Sequence, residues 1–336
     1  RAPLRQGCAP VTVRPLVHVL ATGGTIAGAQ DVAHGYTAGS FSIDALLAAV
    51  PGLDHAAAIR GEQFVSIGSQ DMHDAVWLKL ARRLDALARE PGLAGIVVTH
   101  GTDTLEETAW FAELTVRAEL PILFTGARRP ATAIGADGPA NLAAAVAVAA
   151  DPAARNRGVL AVMNDQVFAA RDVYKTHANR VDAFTAPERG PLGTVAGGRP
   201  RFHRPPDPRP HGFDLAGHDA LPKVLILHAH AGMERELIDA AVAGGARGIV
   251  IAGVGNGNMT GIALDALAEA AGQGIAVVRS TRLPAGAVLA AGEVDDAALG
   301  FVHAGELKPG KARVLLQLAL LTGGGRAAIQ AAFDTH

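Results

Sequence analysis

Cysteine is almost missing from this chain of 336 residues, which holds only Cys8. An intrachain disulfide is therefore excluded, and so is a metal site built on paired thiolates. A single thiol suits a cytosolic protein and does not exclude a periplasmic one. Aromatic residues are also scarce, at 4%, which argues against a platform for stacking nucleic-acid bases. Charged residues make up 18% and the formal net charge is −2, with both signs scattered along the chain. That pattern excludes a basic nucleic-acid stripe and a polybasic membrane-binding run. Apolar runs are of strand or helix length and are broken by glycine or charge, so no stretch reads as a membrane span. The chain starts at Arg1 and not at Met, which fits a processed or trimmed product.

What is present is apolar residue in quantity, 49%, enough for a sizeable core and too much for a disordered chain. The length suggests two domains or one large one. Strand-like runs at 16–21, 95–99, 120–125 and 158–163 alternate with helical patterns at 42–50, 69–89, from Thr104, and from Pro139 through 150. In the longest of these, Met72, Val76, Leu80, Leu84 and Leu87 recur at helical spacing until Pro91-Gly92 stops it. Thr104 and Glu107 stand in capping-box register. Such alternation predicts βαβ units and a parallel sheet covered on both faces. A proline-rich stretch at 200–222 breaks the rhythm and reads as a linker. Strands at 224–228, 248–252 and 275–279 then resume it, with helices at 234–243, 260–271, 311–321 and 327–333. The expected fold is α/β: a larger N-terminal doubly wound, mostly parallel domain over 16–199, the linker 200–222, and a smaller C-terminal α/β domain over 223–336.

Two segments stand out, Ala21-Thr22-Gly23-Gly24-Thr25-Ile26-Ala27-Gly28 and Thr99-His100-Gly101-Thr102-Asp103-Thr104-Leu105-Glu106-Glu107. Each follows an apolar run and ends in a Gly-Thr turn, which sets a hydroxyl beside backbone N–H groups at the end of a strand. A nucleophile with an oxyanion site needs those two parts. As ordinary turns with a capping threonine, either loop alone is unremarkable; the pair is hard to ascribe to packing. In open α/β sheets ligands bind beyond the carboxyl ends of the strands. Four loops have the right composition, at 22–25, 99–103, 228–232 and 253–258, and the first two and the last are expected along one sheet edge.

A threonine hydroxyl needs help to attack. Asp103 is adjacent to Thr102, and Lys175 follows the strand that ends near Met163. Lys175 would accept a proton if burial lowered its pKa, or orient Asp103 if it stayed charged; from the residues alone a solvated surface lysine is the better reading. His228 and His230 alternate on a strand and so face one side, but no third metal ligand follows at suitable spacing. The first glycine-rich turn lacks the Lys-Ser/Thr ending of a phosphate-binding loop and the G-x-G-x-x-G register. Glu293-Val294-Asp295-Asp296 by itself reads as a helix start or a solvated loop.

Together these residues resemble the bacterial L-asparaginase and glutaminase-asparaginase family, most closely its type II enzymes. The two threonine segments match its signatures. So do Gly61-Glu62-Gln63, Ile67-Gly68-Ser69-Gln70-Asp71-Met72, residues 135–141, Gly253-Val254-Gly255-Asn256-Gly257-Asn258, and Gly292-Glu293-Val294-Asp295-Asp296 followed by Gly300-Phe301-Val302. The likeness runs from about Leu16 to the C-terminus. It implies hydrolysis of L-asparagine to L-aspartate and ammonia, with no cofactor and no metal, and with L-glutamine as a second substrate. By motif, Thr25 is the nucleophile, partnered by Tyr36 on a mobile loop and by Glu293 from a neighbouring subunit. Thr102, Asp103 and Lys175 form a second triad that polarises a threonine or activates water. Ser69 and Gln70 hold the substrate's α-carboxylate and α-amino groups, Asp103 shares the amino group, and Asn258 reaches in from a neighbour. The segment 27–39, with Gly28, Gly35 and Gly39, would be a lid carrying Tyr36. The family is typically a homotetramer with sites shared between subunits; neither nucleic acid nor membrane is an expected partner.

Three features depart from the family pattern. The cysteine pair that forms a disulfide in many type II enzymes is replaced by alanine-rich sequence, which weakens the lean towards the periplasm and leaves the cytoplasm open. Arg128 stands where a methionine is usual, and His228-Ala229-His230 where aromatics are common. Two other readings remain at this stage. One is a non-catalytic amino-acid or nucleotide binder on a doubly wound scaffold. The other is an asparaginase-like subunit of a tRNA-dependent amidotransferase, against which the lack of a basic stripe and of an extra N-terminal domain counts. Discrimination between asparagine and glutamine rests on one methylene, on the order of 1–3 kcal/mol.

Overall fold

The computed structural model describes residues 14–31, 35–37, 42–210, 212–290 and 292–336, and at 27, 29–31 and 35–37 it describes the backbone alone. Cys8 and Gly39 lie outside the described residues. The larger sheet has eight strands, in spatial order Arg199–Phe202, Gly193–Ala196, Gln166–Ala169, Val159–Met163, Ile122–Thr125, Leu93–Thr99, Leu16–Gly23 and Ala58–Ile67. The last five in that order are mutually parallel, and the first three add an antiparallel edge. The fold is thus mixed α/β with a mostly parallel sheet, as the alternation predicts.

The central strands are apolar along their whole length because both faces are covered. Val17, Val19 and Val97 pack on one side with the helix Gly138–Ala150, through Leu142, Ala145, Val146 and Ala149. Leu20, Ile96 and Val98 pack on the other with Asp74–Ala88 and Leu105–Thr115. In Asp74–Ala88 the buried set is Trp77, Leu78, Leu80, Ala81, Leu84 and Leu87. Each fully buried leucine contributes about 1.5–3 kcal/mol of apolar transfer. The Gly138–Ala150 helix has Pro139 in its first turn, where a missing N–H costs nothing.

Chain direction decides where a ligand can bind. The first strand, Leu16–Gly23, has the second parallel strand, Ala58–Ile67, on one side and the third, Leu93–Thr99, on the other. The order of connections therefore reverses between Leu16–Gly23 and Leu93–Thr99, the switch point at which open α/β sheets leave a crevice. Ala21 lies opposite Thr99, so the two strands end level. Thr22 stitches them further by donating from Oγ1 to the Thr99 carbonyl at 2.9 Å.

A second sheet of four parallel strands follows, Val224–His228, Gly248–Gly253, Ala276–Thr281 and Val302–His303. The helix Pro309–Leu321 is buried between the two sheets, with Val314, Leu315 and Leu318 in one core with Val224, Val250 and Val278 and with residues of the larger sheet's flanking helices.

Several expectations need correction. The loop at 253–258 does not share a sheet edge with the two threonine loops, because the strand before it belongs to the second sheet. Thr104 is the N-cap of its helix, but its side chain makes no capping bond: the hydroxyl is turned to another segment and donates to the Ser69 carbonyl at 2.7 Å. His228 ends its strand and His230 lies just beyond it; both are exposed, with Ala229 buried between them. The proline-rich stretch begins inside the edge strand Arg199–Phe202.

Candidate active site

The two threonine loops meet at the switch point. Gly24 has φ 81°, and a Cβ there would lie 2.4 Å from both the nitrogen and the Cα of Gly101. A side chain at Gly101 would in turn meet the Ser69 hydroxyl at 2.6 Å. These two glycines let three chain segments touch, so that the turns preceding Thr25 and Thr102 and the Ser69 side chain lie against one another. The first turn uses its own amide, since Gly24 donates to the Ile67 carbonyl at 3.1 Å. That N–H is therefore already used and is not available as an oxyanion donor.

Thr102 is buried. Its Oγ1 accepts from Lys175 Nζ at 3.0 Å and from Arg128 Nη1 at 2.8 Å. Lys175 Nζ also forms a short ion pair with the Asp103 carboxylate. The lysine side chain is only 14% exposed, so it is not the solvated surface lysine that the bare sequence favours. The short strand Tyr174–Lys175 carries it. Its backbone N–H donates to the Glu106 carboxylate in the first turn of the helix Leu105–Thr115. Ser69 Oγ accepts the Asp103 N–H at 3.1 Å and fixes that loop. Gln70 is exposed beside it, with Nε2 reaching Asp71 at 3.3 Å.

A further buried layer lies beneath Lys175. Lys311, from the helix between the sheets, donates to the carbonyls of Ala170, Arg171 and Val173 at 2.6–2.8 Å, and its ammonium lies 4.0 Å from the Tyr174 ring centroid. Burial pushes Lys311 down to about 7 and pushes the Glu106 carboxyl up. Three carbonyl acceptors match the three hydrogens of an ammonium, where a neutral amine has two. The geometry therefore takes the charged form, facing Glu106. Sequence reading passes over this layer: Lys311 stands between Gly310 and Ala312-Arg313 at the start of its helix, ahead of the apolar run from Val314, and nothing local marks it as buried.

His100 sits directly behind the second loop, fully enclosed. Its Nδ1 is 2.7 Å from the Gly101 carbonyl and so carries a hydrogen. Burial lowers its pKa to about 4. Between the ordinary value near 6.5 and about 4 the unfolded chain binds a proton that the folded chain refuses, so stability is lost as the pH falls through that window. The loss is expected to reach about 3 kcal/mol. Urea unfolding of wild type and of His100→Asn, whose amide can replace the Nδ1–H bond, checks this. The variant should show the smaller loss from pH 6.5 to 4, and equal losses would refute the assignment.

Asn258 and Glu293 are brought together, but elsewhere. Asn258 Nδ2 makes a short hydrogen bond to Glu293 Oε2 within the C-terminal part of the chain. Arg279 holds their surroundings. It is buried and grips Asp296 with two bonds, at 2.5 and 2.7 Å, while also donating to the carbonyls of Asn256 and Leu289 at 2.9 and 3.1 Å. Asp295 caps the short helix Asp296–Leu299, so the acidic cluster does contain a helix start. The backbone of Tyr36 pairs with that of Gln30 in a small hairpin following Thr25; its side chain lies outside the described residues. Among the described residues no group of three or more His, Cys, Asp or Glu is placed to hold a metal ion, and no helix is long and apolar enough to cross a membrane.

Comparison with known proteins bears on this arrangement. The family model for the asparaginase N-terminal region matches residues 16–208, and that for the glutaminase/asparaginase C-terminal domain matches residues 223–333. The chain is similar to the probable periplasmic L-asparaginase of Haemophilus influenzae, 49% identical over 91% of this chain and 88% of that protein. It is also similar to L-asparaginase 2 of Escherichia coli, 48% identical over 96% of this chain and 93% of that protein. The glutaminase-asparaginase of Acinetobacter glutaminasificans is 40% identical over 90% of this chain and 94% of its own length.

Proposed function

This chain belongs to the asparaginase family, and from that premise we propose that it hydrolyses L-asparagine to L-aspartate and ammonia through a threonine nucleophile, with L-glutamine as a secondary substrate. The observation that carries the reading is the contact of the two glycine-threonine loops across the switch point, with Lys175 and Asp103 attached to the second of them. Thr25 attacks the side-chain amide carbon. The carbonyl π electrons move to oxygen, and the tetrahedral intermediate expels ammonia once its nitrogen has gained a proton. Water then cleaves the resulting ester, releasing aspartate and restoring the Thr25 hydroxyl. Thr102, Asp103 and Lys175 relay the protons or activate the water, a role that a lysine held between a hydroxyl and a carboxylate can fill.

Ser69, Gln70 and Asp103 bind the substrate's α-carboxylate and α-amino groups. Ser69 and Asp103 already share a hydrogen bond, so the zwitterion meets a formed surface. Tyr36, on the hairpin after Thr25, closes over the substrate. Glu293 and Asn258 complete the site of a neighbouring subunit in a homotetramer; their mutual hydrogen bond away from the threonine loops supports a role across an interface. The domain divide lies between the edge strand Arg199–Phe202 and Val224. Similarity to the periplasmic Haemophilus protein favours the periplasm.

Initial rates of ammonia release from asparagine and glutamine, with aspartate quantified alongside, test the proposal. Asparagine is expected to turn over with the higher kcat/KM, by on the order of tenfold or more. Binding of asparagine without ammonia release would replace the enzyme by a binding module.

A further inference from the structure

We propose that Arg128 is a positioning residue: it fixes the hydroxyl of Thr102 as a proton donor and ties the Lys175 segment to it. The proposal rests on Thr102 belonging to the reacting site.

The main chain at Arg128 is pinned before its side chain extends. Its N–H is accepted by both carboxylate oxygens of Asp137, at 3.0 and 2.9 Å, and the N–H of Arg129 adds a third bond at 2.9 Å. Asp137 is itself held by Asn141 Nδ2 at 3.1 Å. From that anchor the guanidinium reaches two places. Nη1 donates to Thr102 Oγ1 at 2.8 Å, and Nη2 makes a short bond to the Ala178 carbonyl, three residues beyond Lys175. Nε is buried without a hydrogen-bond partner among the described residues, so the side chain bears a desolvation cost for holding this position.

A hydroxyl has two acceptor lone pairs and one hydrogen. Lys175 and Arg128 take both lone pairs of Thr102. The hydrogen is then directed away from both cations, and an alkoxide forming at Oγ1 would be met by two charged donors. Arginine does not lose its proton in proteins, so its half of the arrangement holds through every step of turnover. Lys175 is thereby left free to change protonation without Thr102 losing its orientation. The rigid fork also adds a second tie, through the Ala178 carbonyl, between two segments that Lys175 already joins, and a methionine, usual at this place in the family, cannot make it.

Arg128→Met tests this against Arg128→Lys, using steady-state kinetics on asparagine, aspartate binding by calorimetry and thermal midpoints. The expected result is a kcat lower by about tenfold to a hundredfold in the methionine variant, the loss of one charge-assisted hydrogen bond at a reacting group. KM and the Kd for aspartate should stay within about threefold, since such a change leaves ground-state binding alone. Arg128→Lys should recover part of kcat, because an ammonium can still donate to Thr102. An unchanged kcat would overturn the proposal, and so would a loss that follows the thermal midpoint with no rescue by lysine. If the methionine variant does not fold, Arg128→Gln carries the same comparison. Thr102→Ala in the same assay separates the two levels. Full activity there removes Thr102 from the mechanism, whereas a dead Thr102→Ala beside a wild-type Arg128→Met removes only the clamp.

Discussion

Replacing either Thr25 or Thr102 by alanine is expected to lower kcat for asparagine by about a thousandfold or more, a loss near 4 kcal/mol of transition-state stabilisation. The reasons differ for the two residues. Thr25 supplies the attacking oxygen, for which alanine has no substitute. Thr102 supplies a hydroxyl whose lone pairs are already committed to Lys175 and Arg128. Without it the two cations lose their common acceptor and the proton path from Asp103 to the reacting centre is cut. Groups that act as a unit are non-additive, so the double variant should be no slower than the slower single one by more than a small factor. Serine at either position keeps the hydroxyl and should retain far more activity than alanine. Ammonia-release rates together with circular dichroism of each variant check this. A single alanine variant that folds normally and keeps more than about a tenth of the wild-type rate would defeat the two-threonine mechanism.

The second large effect is on stability. Lys311→Met should destabilise the fold by about 3–5 kcal/mol, the range for removing one partner of a buried charge pair. Methionine fills much of the same space, so the loss is not a cavity effect. It comes from three backbone carbonyls, at Ala170, Arg171 and Val173, left without that donor, and from the buried Glu106 carboxyl, which loses the stronger of the two lysine charges acting on it and keeps Lys175. Glu106 also accepts the Lys175 N–H, so the damage should reach the site, and folded variant should show reduced kcat. Changing the second partner separates these contributions. Lys311→Met with Glu106→Gln should regain part of the stability, because the buried group left behind is no longer ionisable. Denaturant midpoints for the two variants and wild type measure this. A loss under about 1 kcal/mol in the single variant would show that the buried Lys311 ammonium does not hold this layer together.

Part of this could be read without coordinates. The central strands and their helices were legible because both faces of the sheet are covered, so the apolar runs are long and periodic. The strand Ala58–Ile67 was not legible. It is an edge strand containing Arg60, Glu62 and Gln63, and its charged members are satisfied by partners far along the chain. Arg60 Nε donates to buried His18 Nδ1 at 2.7 Å, and Glu62 accepts from Arg83 at 2.6 Å. Thr104 was legible as the residue that starts its helix, but not the use of its side chain, because the hydroxyl is oriented towards the Ser69 carbonyl of another segment.

By itself the sequence determined the local chemistry of this protein. It placed two glycine-threonine turns at strand ends, made the sheet parallel, and carried a family likeness specific enough to name a reaction. Those properties depend on residue type and short spacing, which a chain displays in one dimension. Tertiary structure decided which groups meet. Lys175 reaches Thr102 across 73 residues, Arg128 across 26, and Lys311 closes on Ala170 across 141. No periodicity encodes such contacts, because they arise only once strand order has set Leu16–Gly23 beside Leu93–Thr99 and packed a helix of the C-terminal part beneath them.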